Sequence, residues 1–305
     1  MDLRQLRYLI ALAREKHFTR AADACSVTQP TLSARLRQLE DDLGVAIVRR
    51  GHRYHGLTPE GEKVLAWARR IVDDCDRMFE DLAIQSDEPA GRLAIGVIPS
   101  ALPMAAELVR AFREARPQIR IALTSRSLTQ IERELDEFEI DAGITYLDPG
   151  TAGKRWAQHL YDEEYALYVR ADHALAGRAS VSWAEAAKEP LAALTPDMRN
   201  RQIVDDAFRQ AGMRPEPSVE SNSVIALAML VRSGGAACVL PRQFAAGFGD
   251  DKEIRAIPLV EPEIRHPVAL VALDQEPRPV LVDALFQAAP LLTQLWQARE
   301  VRNGR

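Results

Sequence analysis

Residues 27–44 read VTQPTLSARLRQLEDDLG, and this stretch decides what the first part of the chain is. Leu32, Leu36, Leu39 and Leu43 recur at i, i+4, i+7 and i+11, the apolar stripe of an amphipathic helix. Thr28 suits the N-cap. Pro30 is tolerated in the first turn, where its missing N–H has no intrahelical partner, and Gly44 suits the stop. The opposite face carries Pro30, Thr31, Ala34, Arg37 and Gln38, flanked by Gln29, Ser33 and Arg35. Small side chains there permit close approach, hydroxyls and amides meet base edges or phosphates, and arginines reach further, so this front fits a major groove. Taken alone, a solvated helix face is the better explanation.

Working outward, the surroundings favour the groove. Leu3, Leu6, Ile10 and Ala13 predict a first helix. Thr19 is the expected cap of a short second one, in which Ala21, Ala22 and Ala24 allow close helix contact, and Cys25–Val27 make the turn. Two short helices and a tight turn before a polar-fronted third helix are a helix-turn-helix. Residues 46–61, AIVRRGHRYHGLTPEG, read as two extended pieces around Gly51, a wing whose Arg50 and Arg53 would grip phosphate or enter a minor groove. His52 and His55 lack the Cys or acidic partners of a metal site. Residues 1–60 carry ten basic and seven acidic side chains, a net +3, within a 305-residue chain of net charge −5. A basic head on an acidic body points to a polyanion partner for the head alone.

The matches at Ala21-Ala22, Thr28-Gln29-Pro30, Ser33, Arg35, Leu39-Glu40, Leu43-Gly44, Arg50, Arg53 and Leu57-Thr58-Pro59 resemble the N-terminal signature of LysR-type transcriptional regulators. Ile47-Val48 replaces the usual Leu-Phe before the wing, a change of packing rather than of DNA reading. The resemblance implies a winged helix-turn-helix that binds an interrupted inverted repeat in double-stranded promoter DNA as a homodimer or homotetramer. It implies an activator or repressor acting beside RNA polymerase, in the cytoplasm, with Thr28, Gln29, Pro30, Thr31, Ser33, Arg35, Arg50 and Arg53 on the DNA.

Thr58 is the expected cap of a connecting helix with Pro59 at its first position. Within it Leu65, Ala68, Val72, Cys75, Phe79 and Leu82 alternate at steps of three and four, the seam of a short coiled coil. QSDEPAG, residues 85–91, has the composition of a hinge. From Arg92 onward apolar strands alternate with helical segments, which predicts an α/β fold with parallel strands. The segments DEFEIDAGI, VDDAF and GGAACVLP resemble the family more weakly and imply two Rossmann-like subdomains, similar to periplasmic binding proteins, with a small-molecule effector between them. The expected division is a DNA-binding domain at 1–58, a linker at 59–91 and an effector domain at 92–305, with subdomains 92–162 plus 267–305 and 163–266.

Ligands of such sheets bind at the carboxyl ends of the strands. Those ends hold Ser100 and Ala101, Thr124 and Ser125, Thr145, Thr195 and Asn222, with Arg199 nearby. Hydroxyls beside helix N-termini suit a small anion, and family habit suggests a small organic acid; any one hydroxyl is better read as a helix cap, the set as a binding cleft.

Other classes fit poorly. There is no run of about 18 apolar residues for a membrane span, and the charged N-terminus lacks a signal-peptide layout. No GxSxG, P-loop, GxGxxG or HExxH occurs, the six histidines are scattered, and no catalytic residue, metal or cofactor is predicted. The three cysteines, Cys25, Cys75 and Cys238, are far apart, which fits a reducing cytoplasm. A peroxide-sensing member of the family would need a reactive cysteine pair in the body, where only Cys238 lies. The competing reading is an α/β binding protein or enzyme whose helical head serves assembly alone.

Overall fold

The computed structural model describes residues 1–49, 54–83, 91–147, 155–244 and 253–303. It forms two compact units, Met1–Pro89 and Ala90–Arg305.

The first unit begins with α1 (Leu3–Glu15), α2 (Phe18–Ala24) and α3 (Gln29–Leu43). Asp2 and Gln5 form a reciprocal capping box at the start of α1. Leu6, Leu9 and Leu12 are its buried stripe, while Leu3 is exposed. The inward face is therefore rotated from the expected one, because Leu9 and Leu12 share the side that meets α2 and α3. The cap of α2 is His17, not Thr19: the ring Nδ1 accepts from the backbone N–H groups of Thr19 (3.2 Å) and Arg20 (3.5 Å). Thr28 caps α3, accepting from Thr31 N–H, and Gly44 ends it in the left-handed region at φ 69°. Leu32, Leu36 and Leu39 are buried and Leu43 stands exposed.

Val48 and Leu57 form an antiparallel bridge at the base of the expected wing. Arg50 and Arg53 lie outside the described residues. Helix α4 (Pro59–Ala83) follows, with Thr58 accepting from Gly61 N–H at 2.9 Å. The expected seam divides along α4. Leu65 and Ala68 are buried with the leucines of α1 and α3, and Val72 packs against the same cluster. The first half of α4 is thus part of the head's core rather than of a separate linker. Trp67, Ile71, Met78 and Phe79 stand exposed, and the side chain of Leu82 lies outside the described residues.

The second unit is built on one sheet in the order β2-β1-β3-β10-β4-β8-β6-β7. One lobe contains β1 (Arg92–Val97), a 3₁₀ turn (Pro99–Ala101), α5 (Leu102–Ala115), β2 (Arg120–Ser125), α6 (Leu128–Asp136) and β3 (Ala142–Tyr146). Strands β1, β2 and β3 are parallel. Strand β4 (Arg155–Arg170) is the crossing: residues 155–164 pair antiparallel with β10 (Arg265–Leu273), and residues 165–170 enter the other lobe. That lobe holds β5 (Val181–Ser182), α7 (Trp183–Ala186), β6 (Leu191–Leu194), α8 (Arg199–Gln210), β7 (Val219–Ser221), α9 (Val224–Ser233), β8 (Ala237–Pro241) and β9 (Ile254–Val260). Helix α10 (Val280–Asn303) returns to the first lobe and packs on α5.

The sequence reading assigned neither β5 nor β9. Pro258 lies inside β9, and a proline without an N–H normally argues against a paired strand. Here β9 pairs antiparallel with β4 over residues 254–258 and parallel with β5 at Leu259 and Val260.

Candidate nucleic-acid interface and effector cleft

The polar front of α3 is held in place before it meets anything. Thr28 Oγ1 and Thr31 Oγ1 lie 2.8 Å apart, and Gln29 Nε2 donates to Ser33 Oγ at 3.3 Å. Thr28, Gln29, Pro30, Thr31 and Arg35 are exposed, with Ala34, Arg37 and Gln38 beside them; Ser33 is half-buried. Arg35 lies 3.9 Å from Asp2, a pair exposed enough to part for a phosphate. Asp42 sits at the far end of the helix, bound to the N-terminal ammonium at 2.6 Å and to Gln38 at 3.0 Å. This hydrogen bonding holds its carboxyl below the usual range. On α3 itself acidity is thus kept to the far end, and the carboxylate that does lie near the front is Asp2, beside Arg35.

Glu40 has a different task from its acidic neighbours, one the sequence reading did not assign. Its Oε1 accepts from Ile47 N–H at 2.7 Å and Val48 N–H at 3.0 Å, fixing the strand that leads toward Arg50. Replacing Glu40 with alanine strands two donors at the base of the wing. The expected cost is about 2–3 kcal/mol in the unfolding of the first unit, read by chemical denaturation. A loss below about 0.5 kcal/mol would contradict the clamp.

In the body, a cleft between the two lobes is lined by Ile98, Ser100, Ser127, Tyr146, Met198 and Arg199, among others. Of the expected residues, Ser100 and Arg199 stand on its wall. Ala101 is buried beside Ser100. Thr145 is buried next to Tyr146, its hydroxyl without a hydrogen-bond partner. Thr124 is half-buried and donates to the Ile95 carbonyl at 3.4 Å, so its hydroxyl serves the sheet. Ser125 is exposed at the end of β2, Thr195 is half-buried before α8, and Asn222 is exposed. These last four do not line the cleft.

Two helix starts in the body have no side-chain cap. The N-cap residues of α5 and α8 are Ala101 and Met198, and neither makes a side-chain cap bond. By contrast, Ser127 caps α6 and Ser223 caps α9. The start of α8, whose Met198, Arg199 and Asn200 line the cleft, presents the positive end of a helix dipole and favours an anion; α5 continues from the 3₁₀ turn and has Pro103 in its first turn.

Tyr146, Asn200 and Glu163 were missed at the level of sequence, and they organise the floor. Tyr146 O–H donates to Glu163 Oε2 at 2.7 Å. Asn200 Nδ2 donates to the same phenol oxygen at 3.0 Å, and Ser100 Oγ lies 3.3 Å from it. One atom therefore joins β3, the crossing strand and α8, tying the two lobes together. Glu163 is completely buried, and burial raises its carboxyl pKa to about 7; the hydroxyls of Ser100, Tyr146 and Tyr165 beside it pull the other way. Burial also pushes the Tyr146 phenol well up, and the nearby Glu163 charge adds to this.

A carboxyl whose folded pKa is about 7 and whose unfolded value is 4.5 binds its proton more tightly when folded. Its contribution is full below the unfolded value and is lost as pH rises toward 7. The wild-type body is expected to lose about 3 kcal/mol over that window relative to Glu163→Gln. Denaturant unfolding of both proteins at pH 5 and pH 8 checks this. Parallel pH profiles would contradict it.

Among the described residues no cluster of His, Cys, Asp and Glu is arranged to hold a metal, and no helix is long and apolar enough to cross a membrane. Cys238 is buried in β8, and burial pushes its thiol far up.

The sequence profile of bacterial regulatory helix-turn-helix proteins of the lysR family matches residues 3–62, and that of the LysR substrate binding domain matches residues 86–290. A hydrogen peroxide-inducible genes activator of Pectobacterium carotovorum subsp. carotovorum is 29% identical over 272 residues, 89% of this chain and 90% of that protein. A probable hydrogen peroxide-inducible genes activator of Mycobacterium avium is 32% identical over 241 residues, 79% and 77% of the two chains. Full-length OxyR of Pseudomonas aeruginosa, a cysteine-to-aspartate variant, superposes with a TM-score of 0.76 at 29% identity, covering 95% of each chain. CbnR in complex with its target DNA shares the fold, with a TM-score of 0.67 at 22% identity over 96% of this chain and all of that one. With its helix-turn-helix head and two-lobed α/β body, the chain belongs to the LysR family of DNA-binding transcriptional regulators, which are not enzymes.

Proposed function

We propose that the protein binds promoter DNA through the front of α3 and adjusts that binding when a small carboxylate enters the cleft between the lobes. The observation that carries the effector reading is the uncapped start of α8 in a cleft walled by Ser100 and Arg199. Thr28, Gln29, Pro30, Thr31, Ser33 and Arg35 supply base and phosphate contacts, with Arg50 and Arg53 on the backbone. The exposed apolar residues Trp67, Ile71 and Met78 of α4 support self-association, which would set two heads on the halves of an inverted repeat. Closure of the lobes around the acid then shifts the arrangement of the heads.

A second reading comes from the relatives, which are named for induction by hydrogen peroxide. The body of this chain holds a single cysteine, Cys238, and it is buried. A disulfide within one body has no second thiol to form it. The carboxylate reading therefore stands ahead of a thiol switch.

A thermal-shift comparison of small carboxylates with hydrogen peroxide on the full chain separates the two. At least one acid is expected to raise the midpoint, with the rise lost in Ser100→Ala or Arg199→Ala. No rise with any acid, together with a DNA footprint altered by peroxide, would overturn the carboxylate reading.

A further inference from the structure

We propose that Glu163 is a specificity-determining residue of the cleft: its proton decides whether Ser100 accepts or donates at the cleft wall, so that a carboxylate bound there brings one proton in with it. This deepens the effector reading and rests on it.

The argument is a count of hydrogens and lone pairs. The Tyr146 phenol oxygen has one proton and two lone pairs, and three neighbours use them. When Glu163 is ionised it can only accept. Tyr146 must then spend its proton on Glu163 Oε2, 2.7 Å away, and accept from Asn200 Nδ2 at 3.0 Å and from Ser100 Oγ at 3.3 Å. The Ser100 proton points inward, and only its lone pairs face the cleft that it lines. A carboxylate oxygen placed against Ser100 would then meet lone pairs where it needs a donor. When Glu163 is protonated the chain reverses. Glu163 O–H donates to Tyr146, Tyr146 O–H turns to Ser100, and Ser100 O–H is released toward the cleft. Asn200 remains a donor to Tyr146 in both states. One proton enters from solvent and forms the Glu163 O–H bond; no other covalent bond changes.

The surroundings allow this exchange. Facing Glu163 are Tyr146 from β3, Ser100 from the turn after β1, Tyr165 on its own strand and, opposite it on β10, His266. The His266 ring stands edge-on to Tyr146 at 6.4 Å. None of these is a fixed cation, so no permanent charge locks Glu163 in its ionised form. The flanking charges are engaged elsewhere: Glu164 pairs with Arg265 and Arg242, and Asp162 with His159. Glu163 Oε1 has no hydrogen-bond partner, so the carboxyl is tied to the network through Oε2 and Tyr146.

The test uses acetate as probe on the full chain, with chloride holding the ionic strength, from about pH 6 to about pH 9, where acetate remains ionised. The expected apparent Kd rises about tenfold per pH step above neutrality and levels off below it, the signature of one linked proton. In Glu163→Gln, whose amide supplies a permanent donor, the slope disappears. Tyr146→Phe cuts the chain and also flattens the slope, while the Glu163 carboxyl still titrates by infrared difference spectroscopy. A pH-independent Kd in the wild type, or a slope that persists in Glu163→Gln, overturns the proposal while leaving the cleft a carboxylate site. Absence of acetate binding at every pH overturns the carboxylate reading and this one with it.

Discussion

Alanine at both Gln29 and Ser33 is expected to lower affinity for the cognate DNA site by about 2–4 kcal/mol, thirtyfold to a thousandfold, while affinity for unrelated DNA changes little. These two side chains form a ready-made pair on the open side of α3, the amide donating to the hydroxyl at 3.3 Å. Neither is needed by the core, which is built from Leu32, Leu36 and Leu39 on the other side. Their loss should therefore leave the head folded. An amide and a hydroxyl read base edges and supply little of the charge term, so discrimination falls rather than overall attraction. Binding to specific and random duplexes at matched salt, measured side by side, gives the result. Equal losses on both duplexes would show that the pair contacts only the backbone.

Gly61→Ala is expected to unfold the head selectively. Gly61 lies in the first turn of α4, and a Cβ there would sit 2.1 Å from the Ile47 carbonyl oxygen, a backbone atom already accepting from Thr58 N–H. Alanine is favoured over glycine in a helix by about 1 kcal/mol. A backbone overlap of this depth outweighs that gain, because either α4 or the strand at Ile47 must move. A net loss of about 3 kcal/mol in the first unit is expected, with DNA binding lost and the unfolding of the second unit unchanged. Two-transition denaturation followed by circular dichroism tests it. A stabilised head would mean that Ile47 yields at no cost.

The helix-turn-helix was legible because each part of α3 is locally specified: Thr28 as cap, Pro30 in the first turn, the leucine stripe and Gly44 as stop all agree. What was misread depended on partners distant in sequence. The 3-4 spacing of α4 signals burial but does not say against what, and Leu65 and Ala68 turned out to face the head's own core. His17 took the cap expected of Thr19 because a ring nitrogen can accept from two backbone N–H groups. In the body, the α/β alternation and most helices followed from the succession of apolar runs. The floor of the cleft did not. Asp162-Glu163-Glu164 reads as a solvated acidic run, yet strand alternation places Glu163 on the same side as Tyr161 and Tyr165. That parity was the available signal: an acid in phase with two buried tyrosines. The wall hydroxyls were overestimated because Thr124 found a backbone carbonyl within its own sheet.

The account stands or falls on site-specific DNA binding that answers to the body. Footprinting of the full chain on the DNA immediately upstream of its own gene, at about 0.15 M salt, tests it most directly. The expected result is protection of two inversely related half-sites separated by whole helical turns of about 10 base pairs, with a pattern that changes when an acid that stabilises the protein is added. No protection with or without small acids, or protection that survives removal of residues 1–58, would contradict it.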